Sequence, residues 1–337
     1  MRQSSRYSIQ VVLLLCLMSV LLIGCDPMMP QATPVAVVIT AAPSVTPIPL
    51  SSNTPIPSRT ALPTSTPDYT PTPTLFPCEI DAGQLVEFSQ FPSTVAGGEN
   101  LRYQVYVPPC YYETERRYPY VLLLHGLSFR ETQWSDIGVV EALDSGIRLG
   151  ALPPMILVMP YYGAIGGTDS YPPDPSYETV ILDELLPAIE RDFCTISNRD
   201  NRAIAGISRG GFWAFEIGFR HPEVFSIITG HSAFFPDIDV VPPAFNPLEI
   251  AQTSPTLADA GLRIYMDNGS ADSVAFSQQT LSDRLRARNI SHTYVINPGG
   301  DHSNDYWAAH ITEYLTFYGR NWTKSYAELP SCSEPSP

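Results

Sequence analysis

The chain has 337 residues, a length that accommodates one α/β domain of about 200–250 residues with further segments beside it. Its net charge is −15, with 34 acidic residues against 19 basic ones, which argues against a nucleic-acid partner because such proteins normally display a basic patch. The single lysine, Lys324, lies near the C-terminus outside any motif, so chemistry that needs a Ser–Lys dyad or a Schiff-base lysine is also disfavoured.

Residues 1–24 have the pattern of a secretory signal peptide, in which two arginines precede an apolar run over 9–23. An uncleaved membrane helix is the alternative, but the run is shorter than the ~20 residues that a span requires. The sequence Leu22-Ile23-Gly24-Cys25 resembles a bacterial lipobox, which implies that Cys25 becomes the lipid-modified first residue of the mature protein. We therefore expect an extracytoplasmic lipoprotein anchored to a bacterial membrane.

Residues 25–77 are predicted to hold the lipidated Cys25 and an extended, disordered spacer. Between 26 and 77, 28 of 52 residues are Pro, Thr or Ser. A segment of this composition cannot bury a core, and it adopts polyproline-like conformations that extend by about 3.1 Å per residue.

The folded domain is predicted over 78–325, with a C-terminal tail over 326–337. Short, wholly apolar runs such as Tyr120–Leu124 and Met155–Met159 are typical of parallel strands that are covered on both faces. Strands are predicted at 85–91, 101–107, 120–124, 155–159, 203–206, 226–229, 262–266 and 293–296. Helical patterns alternate with the later strands, at 178–193, 211–220, 273–289 and 306–318. This order predicts an α/β fold with a mostly parallel, doubly wound sheet and antiparallel N-terminal strands.

Four of the six cysteines lie outside the signal peptide and the anchor: Cys78, Cys110, Cys194 and Cys332. An even count in an exported protein indicates two disulfides with three alternative pairings. Cys110 and Cys194 are the favoured pair, because both are expected at the amino end of the parallel strands. The cysteines form no CxxC pair, so we expect no metal site.

The sequence Gly206-Ile207-Ser208-Arg209-Gly210 fits the pattern G-x-S-x-G, between a predicted strand and a predicted helix. That context is the one in which the motif presents a nucleophile, because a sharp strand-to-helix turn needs small flanking residues and aims a helix N-terminus at the site. We therefore predict Ser208 as a nucleophile; the alternative is a structural turn with an incidental serine.

A nucleophilic serine needs a base, and in this kind of fold the base is a histidine late in the chain. His292 opens a predicted strand and His310 lies within the last predicted helix. His302 lies in the loop between the last strand and the last helix, at the carboxyl edge of the sheet. We therefore predict His302 as the general base.

The acid that orients this histidine should follow the strand predicted at 262–266. Asp267 comes directly off that strand, whereas Asp272 lies a few residues further on, before a helix that it is also suited to cap. We favour Asp272 and keep Asp267 as its rival.

Acyl transfer also needs two backbone N–H groups that face the developing oxyanion. We predict the N–H of Arg209, directly after the nucleophile, and the N–H of Leu127, in the loop after the strand Tyr120–Leu124. His125, in the same loop, is predicted to have a structural role.

Five short segments, spread over about 85–318, are informative when taken together: Tyr106-Val107-Pro108-Pro109, Leu123-Leu124-His125-Gly126, the stretch from Arg202 to Phe212, His221-Pro222-Glu223-Val224-Phe225, and Gly300-Asp301-His302 followed by Trp307. In these segments the chain resembles the putative-esterase branch of the α/β-hydrolases, which includes feruloyl, acetyl-xylan and enterochelin esterases, S-formylglutathione hydrolases and mycolyltransferases. The resemblance implies the α/β-hydrolase fold and places the acid in a Gly-x-x-Asp stretch. Gly269-Ser270-Ala271-Asp272 matches that stretch, which favours Asp272 over Asp267.

Arg209 departs from this family, whose members often carry Met, Leu or Gln there. Its side chain is expected to pair with a nearby carboxylate, or alternatively to meet an anionic group of a substrate. The segment Tyr161–Tyr177 is predicted to form part of the cleft rim, where its tyrosines could stack on a sugar or an aromatic acyl group.

The sequence therefore predicts a serine hydrolase of small-molecule or carbohydrate-linked carboxylic esters, with no cofactor. An acyltransferase of the mycolyltransferase type that moves the acyl group to a sugar hydroxyl is the first alternative. A non-catalytic binding module on the same fold is the second.

Overall fold

The computed structural model describes residues 76–236, 240–334 and 336. The predicted signal peptide, the predicted lipid attachment at Cys25 and nearly all of the predicted spacer lie outside these ranges. Within them, no helix combines the length and the apolar character needed to cross a membrane.

One sheet of eight strands forms the centre of the described part of the chain. The strands are β1 (Gln84–Pro92), β2 (Asn100–Val107), β3 (Tyr120–Leu124), β4 (Ile156–Pro160), β5 (Arg202–Ile207), β6 (Ile227–His231), β7 (Arg263–Gly269) and β8 (Thr293–Asn297). Their order is β1-β2-β4-β3-β5-β6-β7-β8. The pairs β1–β2 and β2–β4 are antiparallel and all the others are parallel. The predicted mostly parallel sheet with antiparallel N-terminal strands is confirmed.

Helices cover both faces of this sheet. They are α1 (Tyr111–Thr114), α2 (Gln133–Asp136), α3 (Val139–Arg148), α4 (Tyr177–Thr179), α5 (Leu186–Asp192), α6 (Arg209–Arg220), α7 (Pro247–Thr253), α8 (Ala275–Ala287) and α9 (Asn304–Gly319). Single 3₁₀ turns occupy Pro77–Ile80, Ile165–Gly167, Arg199–Asn201, Leu257–Asp259 and Tyr326–Glu328. No helix is predicted from the sequence at α1, α2, α3 or α7.

The helix predicted over 178–193 is not regular, since a π-helical segment, Val180–Leu185, joins α4 to α5. Pro187 follows directly in the first turn of α5. A proline has no N–H to donate and clashes with the preceding turn, so a locally wider helix accommodates it.

The core lies in two layers, one on each side of the sheet, because successive residues of a strand point to opposite faces. In β3, Leu122 and Leu124 pack into the layer that contains Phe212 of α6, whereas Leu123 packs into the layer that contains Trp307 of α9. All five residues of β3 are buried, which explains why its sequence is an unbroken apolar run.

The disulfides join Cys78 to Cys110 and Cys194 to Cys332, with Cα–Cα distances of 5.1 and 5.6 Å. The favoured pair Cys110–Cys194 is therefore wrong. The two cysteines do lie at the same edge, since the Cys194 N–H donates to the Tyr111 hydroxyl at 2.9 Å. Cys110 is bonded to the first described turn and Cys194 to the C-terminal segment. Neither partner belongs to a strand of the sheet, so strand order alone does not place it.

The C-terminal residues fold back along the amino end of the central strands. Cys332 N–H donates to the Glu115 carbonyl at 2.7 Å and Arg117 N–H donates to the Pro330 carbonyl at 2.8 Å. Leu329 is buried in the core. The domain thus includes this segment in its packing.

Candidate active site

Ser208 lies at the turn between β5 and α6, with φ 54° and ψ −114°. A non-glycine residue in this region carries backbone strain of about 1–3 kcal/mol, and such strain concentrates at functional sites. A Cβ on Gly206 would overlap the backbone of Gly210, and a Cβ on Gly210 would overlap the carbonyls of Leu124 and His125. Both glycines of the motif are therefore required by close backbone contact.

His302 and Asp272 form one hydrogen-bonded line with this serine. The Ser208 hydroxyl lies 3.0 Å from His302 Nε2. On the other side of the ring, His302 Nδ1 lies 3.1 and 3.2 Å from the two carboxylate oxygens of Asp272. The three predicted residues, far apart in sequence, are brought together at the carboxyl edge of the sheet.

Asp272 is held by further donors in a buried environment. Burial favours a raised pKa for this carboxyl, but hydrogen bonds from His302, Ser232 and the Val274 N–H together lower its pKa below the ordinary value. The Val274 N–H donates to Asp272 Oδ1 at 2.9 Å, so Asp272 holds the turn before α8; the N-cap of that helix is Val274, and no side chain caps it. A carboxylate that stays ionised keeps its acceptor oxygens available for the imidazole.

Ser232 contacts the acid and Trp307 contacts the base, and the sequence predicts neither role. Trp307 Nε1–H donates to Ser232 Oγ at 3.0 Å, and Ser232 in turn bonds Asp272. The indole also packs edge-on against the His302 ring, with 5.1 Å between centroids. Ser232 has a positive φ of 51°, which a sequence does not display.

The loops that carry the acid and the base are bonded to each other. The Ala271 N–H donates to the Gly300 carbonyl at 2.9 Å. A Cβ on Gly269 would overlap the backbone of Gly300, and one on Gly300 would overlap the Tyr306 ring. The Gly-x-x-Asp and Gly-Asp-His sequences thus have a steric cause, since two backbones meet there.

Asp267, the rival acid, lies in a different network. It is fully buried at the end of β7, where its Oδ1 lies 2.7 Å from His231 Nδ1. Its Oδ2 accepts from the hydroxyls of Tyr306 at 2.6 Å and Tyr314 at 2.8 Å. These partners occupy both carboxylate oxygens, so Asp267 joins the sheet to α9.

The other late histidines have structural partners. His292 Nδ1 lies 2.8 Å from the Ile290 carbonyl and its Nε2 lies 2.9 Å from Ser282 Oγ. His310 lies on α9, with Nδ1 3.2 Å from a Glu313 carboxylate oxygen. The contacts of these rings thus agree with the choice of His302.

The predicted oxyanion donors belong to the two backbone segments that flank the nucleophile. Arg209 is the first residue of α6, so its N–H is among those that a helix leaves without an intrahelical acceptor. Leu127 lies in the loop after β3, which contacts the same helix at Gly210. Its side chain is exposed at the rim.

His125 is buried under this loop. Its Nδ1 lies 2.8 Å from the Gly126 carbonyl, and its Nε2 accepts from the Tyr162 N–H at 3.3 Å. These partners select the neutral tautomer that carries its proton on Nδ1. Burial lowers the pKa of His125 to about 4, which keeps that neutral form at pH 7.

The Arg209 side chain forms an ion pair, as expected, since its Nη2 lies 2.8 Å from Asp169 Oδ1. The same nitrogen donates to the Thr168 carbonyl at 3.0 Å. The guanidinium also lies over the rings of Phe212 and Trp213, at 4.6 and 5.0 Å. The ion pair and the hydrogen bond therefore hold the loop before α4 close to Ser208.

Three of the four tyrosines of 161–177 lie in the core and cannot stack on a substrate, whereas Tyr161 is partly exposed. Tyr162, Tyr171 and Tyr177 are buried, with Tyr162 stacked on His125 at 4.0 Å between centroids. Their rings fill the core because the loop turns inward beside Trp213. Other exposed apolar side chains include those of Leu127, Phe129 and Phe234 on loops and of Phe276 in the first turn of α8.

Within the described residues, no cluster of three or more His, Cys, Asp or Glu side chains has the arrangement of a metal site.

Known proteins are similar to this chain in sequence and in fold. A family model described as "Putative esterase" matches residues 94–318. An endo-1,4-beta-xylanase/feruloyl esterase of Xylanibacter ruminicola is 36% identical over 119 residues, which are 33% of this chain and 16% of that protein. Esterase Rv1288 of Mycobacterium tuberculosis is 35% identical over 144 residues, which are 41% of this chain and 30% of that protein. The chain thus spans less than a third of the length of either relative.

Among solved structures, a ferulic acid esterase superposes with a TM-score of 0.64 at 24% identity, covering 71% of this chain and 98% of that one. An S-formylglutathione hydrolase of Staphylococcus aureus superposes with a TM-score of 0.59 at 19% identity, covering 70% and 98%. These likenesses show that the fold is that of the α/β-hydrolases.

Proposed function

Because the chain belongs to the putative esterase family of the α/β-hydrolases, we propose that it hydrolyses carboxylic esters through an acyl-enzyme on Ser208. The observation that carries this proposal is the unbroken line from Ser208 Oγ through His302 to Asp272, with contacts of 3.0 and 3.1 Å. A nucleophile, a base and an orienting acid in such a line are the components of serine hydrolase chemistry.

Acylation begins when Ser208 Oγ attacks the ester carbonyl carbon while its proton passes to His302 Nε2. The carbonyl electron pair moves onto oxygen, and the N–H groups of Leu127 and Arg209 donate to that oxyanion. One such donor contributes about 3–4 kcal/mol to the transition state in serine hydrolases. Asp272 stabilises the imidazolium that forms between them.

The tetrahedral intermediate then collapses, and the C–O bond to the alcohol breaks as His302 returns its proton to the leaving oxygen. Water repeats the sequence on the acyl-enzyme. His302 takes a proton from the water, the acid is released, and Ser208 regains its hydroxyl hydrogen.

We propose a carbohydrate-linked ester with an aromatic acyl group, such as a feruloyl ester, as the substrate. Two similar proteins carry names that support this class, an endo-1,4-beta-xylanase/feruloyl esterase and a ferulic acid esterase. The exposed apolar side chains beside the nucleophile also suit such an acyl group. Phe234 lies beside the nucleophile, since its N–H donates to the Ser208 carbonyl at 3.2 Å and its side chain is exposed.

We further propose that the protein acts outside the cytoplasm, attached through lipid on Cys25, with 25–77 as a spacer and the catalytic domain after it. The basic and apolar residues before Cys25 support this placement. The two disulfides support it as well, because disulfides persist in oxidising compartments. Fractionation of cells that express the full chain tests the attachment.

The test of function compares the full chain with its Ser208→Ala variant on p-nitrophenyl acetate, methyl ferulate and a feruloylated arabinoxylan oligosaccharide. We expect the variant to lose about 10⁴-fold or more in kcat on each ester that the natural chain cleaves, because the covalent step is lost. Its circular dichroism and melting temperature serve as the folding control. A Ser208→Ala protein that retains a tenth of the rate contradicts the proposal.

A further inference from the structure

Gln133 is a buried glutamine whose side-chain amide uses both of its ends. It is the first residue of α2 and is 1% exposed. Its Oε1 accepts from the Gly126 N–H at 2.7 Å. Its Nε2 donates to Asn304 Oδ1 at 2.9 Å. One side chain thus bonds the loop after β3 to the start of α9.

Both of these partners adjoin the proposed machinery. Gly126 precedes Leu127, whose N–H is the proposed oxyanion donor. Asn304 lies two residues after His302, at the N-terminus of the helix that follows the base. The amide of Gln133 therefore fixes the distance between the donor loop and the histidine loop.

The planarity of the peptide bond transmits this constraint to Leu127. The carbonyl of Gly126 and the N–H of Leu127 belong to one trans peptide unit, so they point in opposite directions. That carbonyl lies 2.8 Å from His125 Nδ1 and accepts from the Phe129 N–H at 3.2 Å. Gln133 thus holds the Gly126 N–H, while His125 and Phe129 hold the Gly126 carbonyl. Because both groups of Gly126 are fixed, the plane of the peptide that joins it to Leu127 is fixed as well. The direction of the Leu127 N–H follows from that plane.

Gln133 is itself held in place by hydrogen bonds of its own backbone and of its neighbour, so it can fix the positions of the groups that it contacts. Its N–H donates to the Arg130 carbonyl at 3.0 Å. The next residue, Trp134, is buried and donates from Nε1 to the Leu124 carbonyl at 3.1 Å, at the end of β3. A side chain this constrained loses little entropy on forming its two bonds, and a buried amide needs both of them.

We propose that Gln133 is a positioning residue that aims the Leu127 N–H at the oxyanion and holds it in register with His302 through Asn304. This inference rests on the proposed esterase function. It predicts a defect in transition-state stabilisation, because a misdirected donor weakens a bond that forms fully only in the tetrahedral state.

The main variant is Gln133→Met, which keeps length and apolar volume but removes both hydrogen bonds. We expect kcat to fall about 10- to 100-fold, while KM stays within about 3-fold of its original value. This loss in kcat is smaller than the roughly 10²–10³-fold loss that removal of a whole oxyanion donor causes. The inhibition constant of an arylboronic acid, which forms a tetrahedral adduct on the serine, should rise by the factor by which kcat/KM falls. A merely structural role would lower the melting temperature and the active fraction and leave both constants of the folded enzyme unchanged.

Gln104→Met is the matched control. Gln104 is buried and accepts from Ser135 Oγ of the same short helix at 2.8 Å, yet it has no bond to either loop. We expect it to change the melting temperature but to leave kcat and the boronate constant within about 2-fold. An equal catalytic loss in both variants would assign the effect to α2 as a whole and overturn the proposal.

Asn304→Ala supplies a second variant if Gln133→Met does not fold. We expect it to lower kcat about 3- to 10-fold on its own, and an unchanged kcat would overturn the proposal. Where Gln133→Met does fold, Asn304→Ala should have almost no further effect in that background, because both changes break one bridge. If the double variant instead loses kcat by the product of the two single losses, Gln133 and Asn304 do not act as one bridge and the proposal is overturned. An unchanged kcat in Gln133→Met also overturns it. All rates are taken above that of Ser208→Ala, so activity that persists in Ser208→Ala refutes the proposed function instead.

Discussion

Replacement of each candidate aspartate by asparagine separates the catalytic carboxylate from the structural one. Asp272→Asn keeps shape and retains an oxygen that can accept from the Val274 N–H, but it places an NH₂ group beside His302 Nδ1. The ring must then accept at Nδ1 and carry its proton on Nε2, which faces Ser208 and can no longer take the hydroxyl proton. Analogous changes in serine proteases lower kcat about 10⁴-fold, and we expect 10³- to 10⁴-fold here.

Asp267→Asn should act on stability instead. The carboxylate is fully buried and accepts from Tyr306 and Tyr314 at 2.6 and 2.8 Å, with His231 Nδ1 at 2.7 Å. An amide has one acceptor oxygen, so at least one buried donor loses its partner. Breaking a buried charged network in this way costs about 3–5 kcal/mol. For a domain of this size, that corresponds to a fall in melting temperature of roughly 6–20 °C.

The assay measures kcat on p-nitrophenyl acetate at 20 °C, with folded enzyme counted by fluorophosphonate titration, together with thermal unfolding by circular dichroism. Slow labelling of Asp272→Asn is expected, so its folded fraction is taken from the melt. We expect Asp272→Asn to lose activity with a melting temperature within about 3 °C, and Asp267→Asn to melt lower with kcat within about 3-fold. The reverse pattern would refute the assignment of Asp272 as the acid.

Two further predictions concern pH and attachment. His125 titrates near pH 4 in the folded protein and near 6.5 when unfolded, so the unfolded chain binds its proton first as pH falls, and the free energy of unfolding should drop by up to about 3 kcal/mol between those values. Urea unfolding from pH 7.5 to 4.5 checks this, and an equally steep loss in His125→Asn would contradict it. Cys25→Ser in the full chain should shift the protein from the membrane fraction to the soluble one and abolish palmitate labelling, whereas an unchanged membrane fraction would refute lipid attachment there.

Much of the site could be read from sequence because its motifs are local. A nucleophile at a strand-to-helix turn requires Gly206 and Gly210, and the crossing of the acid and histidine loops requires Gly269 and Gly300. Each requirement leaves a short pattern around its functional residue. The buried run of β3 likewise shows that a strand is covered on both faces.

What the sequence by itself determined was the alternation of strands and helices and the chain order of the candidates: Ser208, then an acid after β7 that was either Asp272 or Asp267, then His302. Both follow from short-range patterns and chain order. The tertiary structure decided which groups meet. Asp272 reaches His302 while Asp267 is occupied by the tyrosines of α9, Cys194 pairs with Cys332, and the amide of Gln133 spans two loops. These contacts join segments that are far apart in the chain. Packing of whole elements sets their distances, and a contact of that range leaves no periodic mark on the residues that make it.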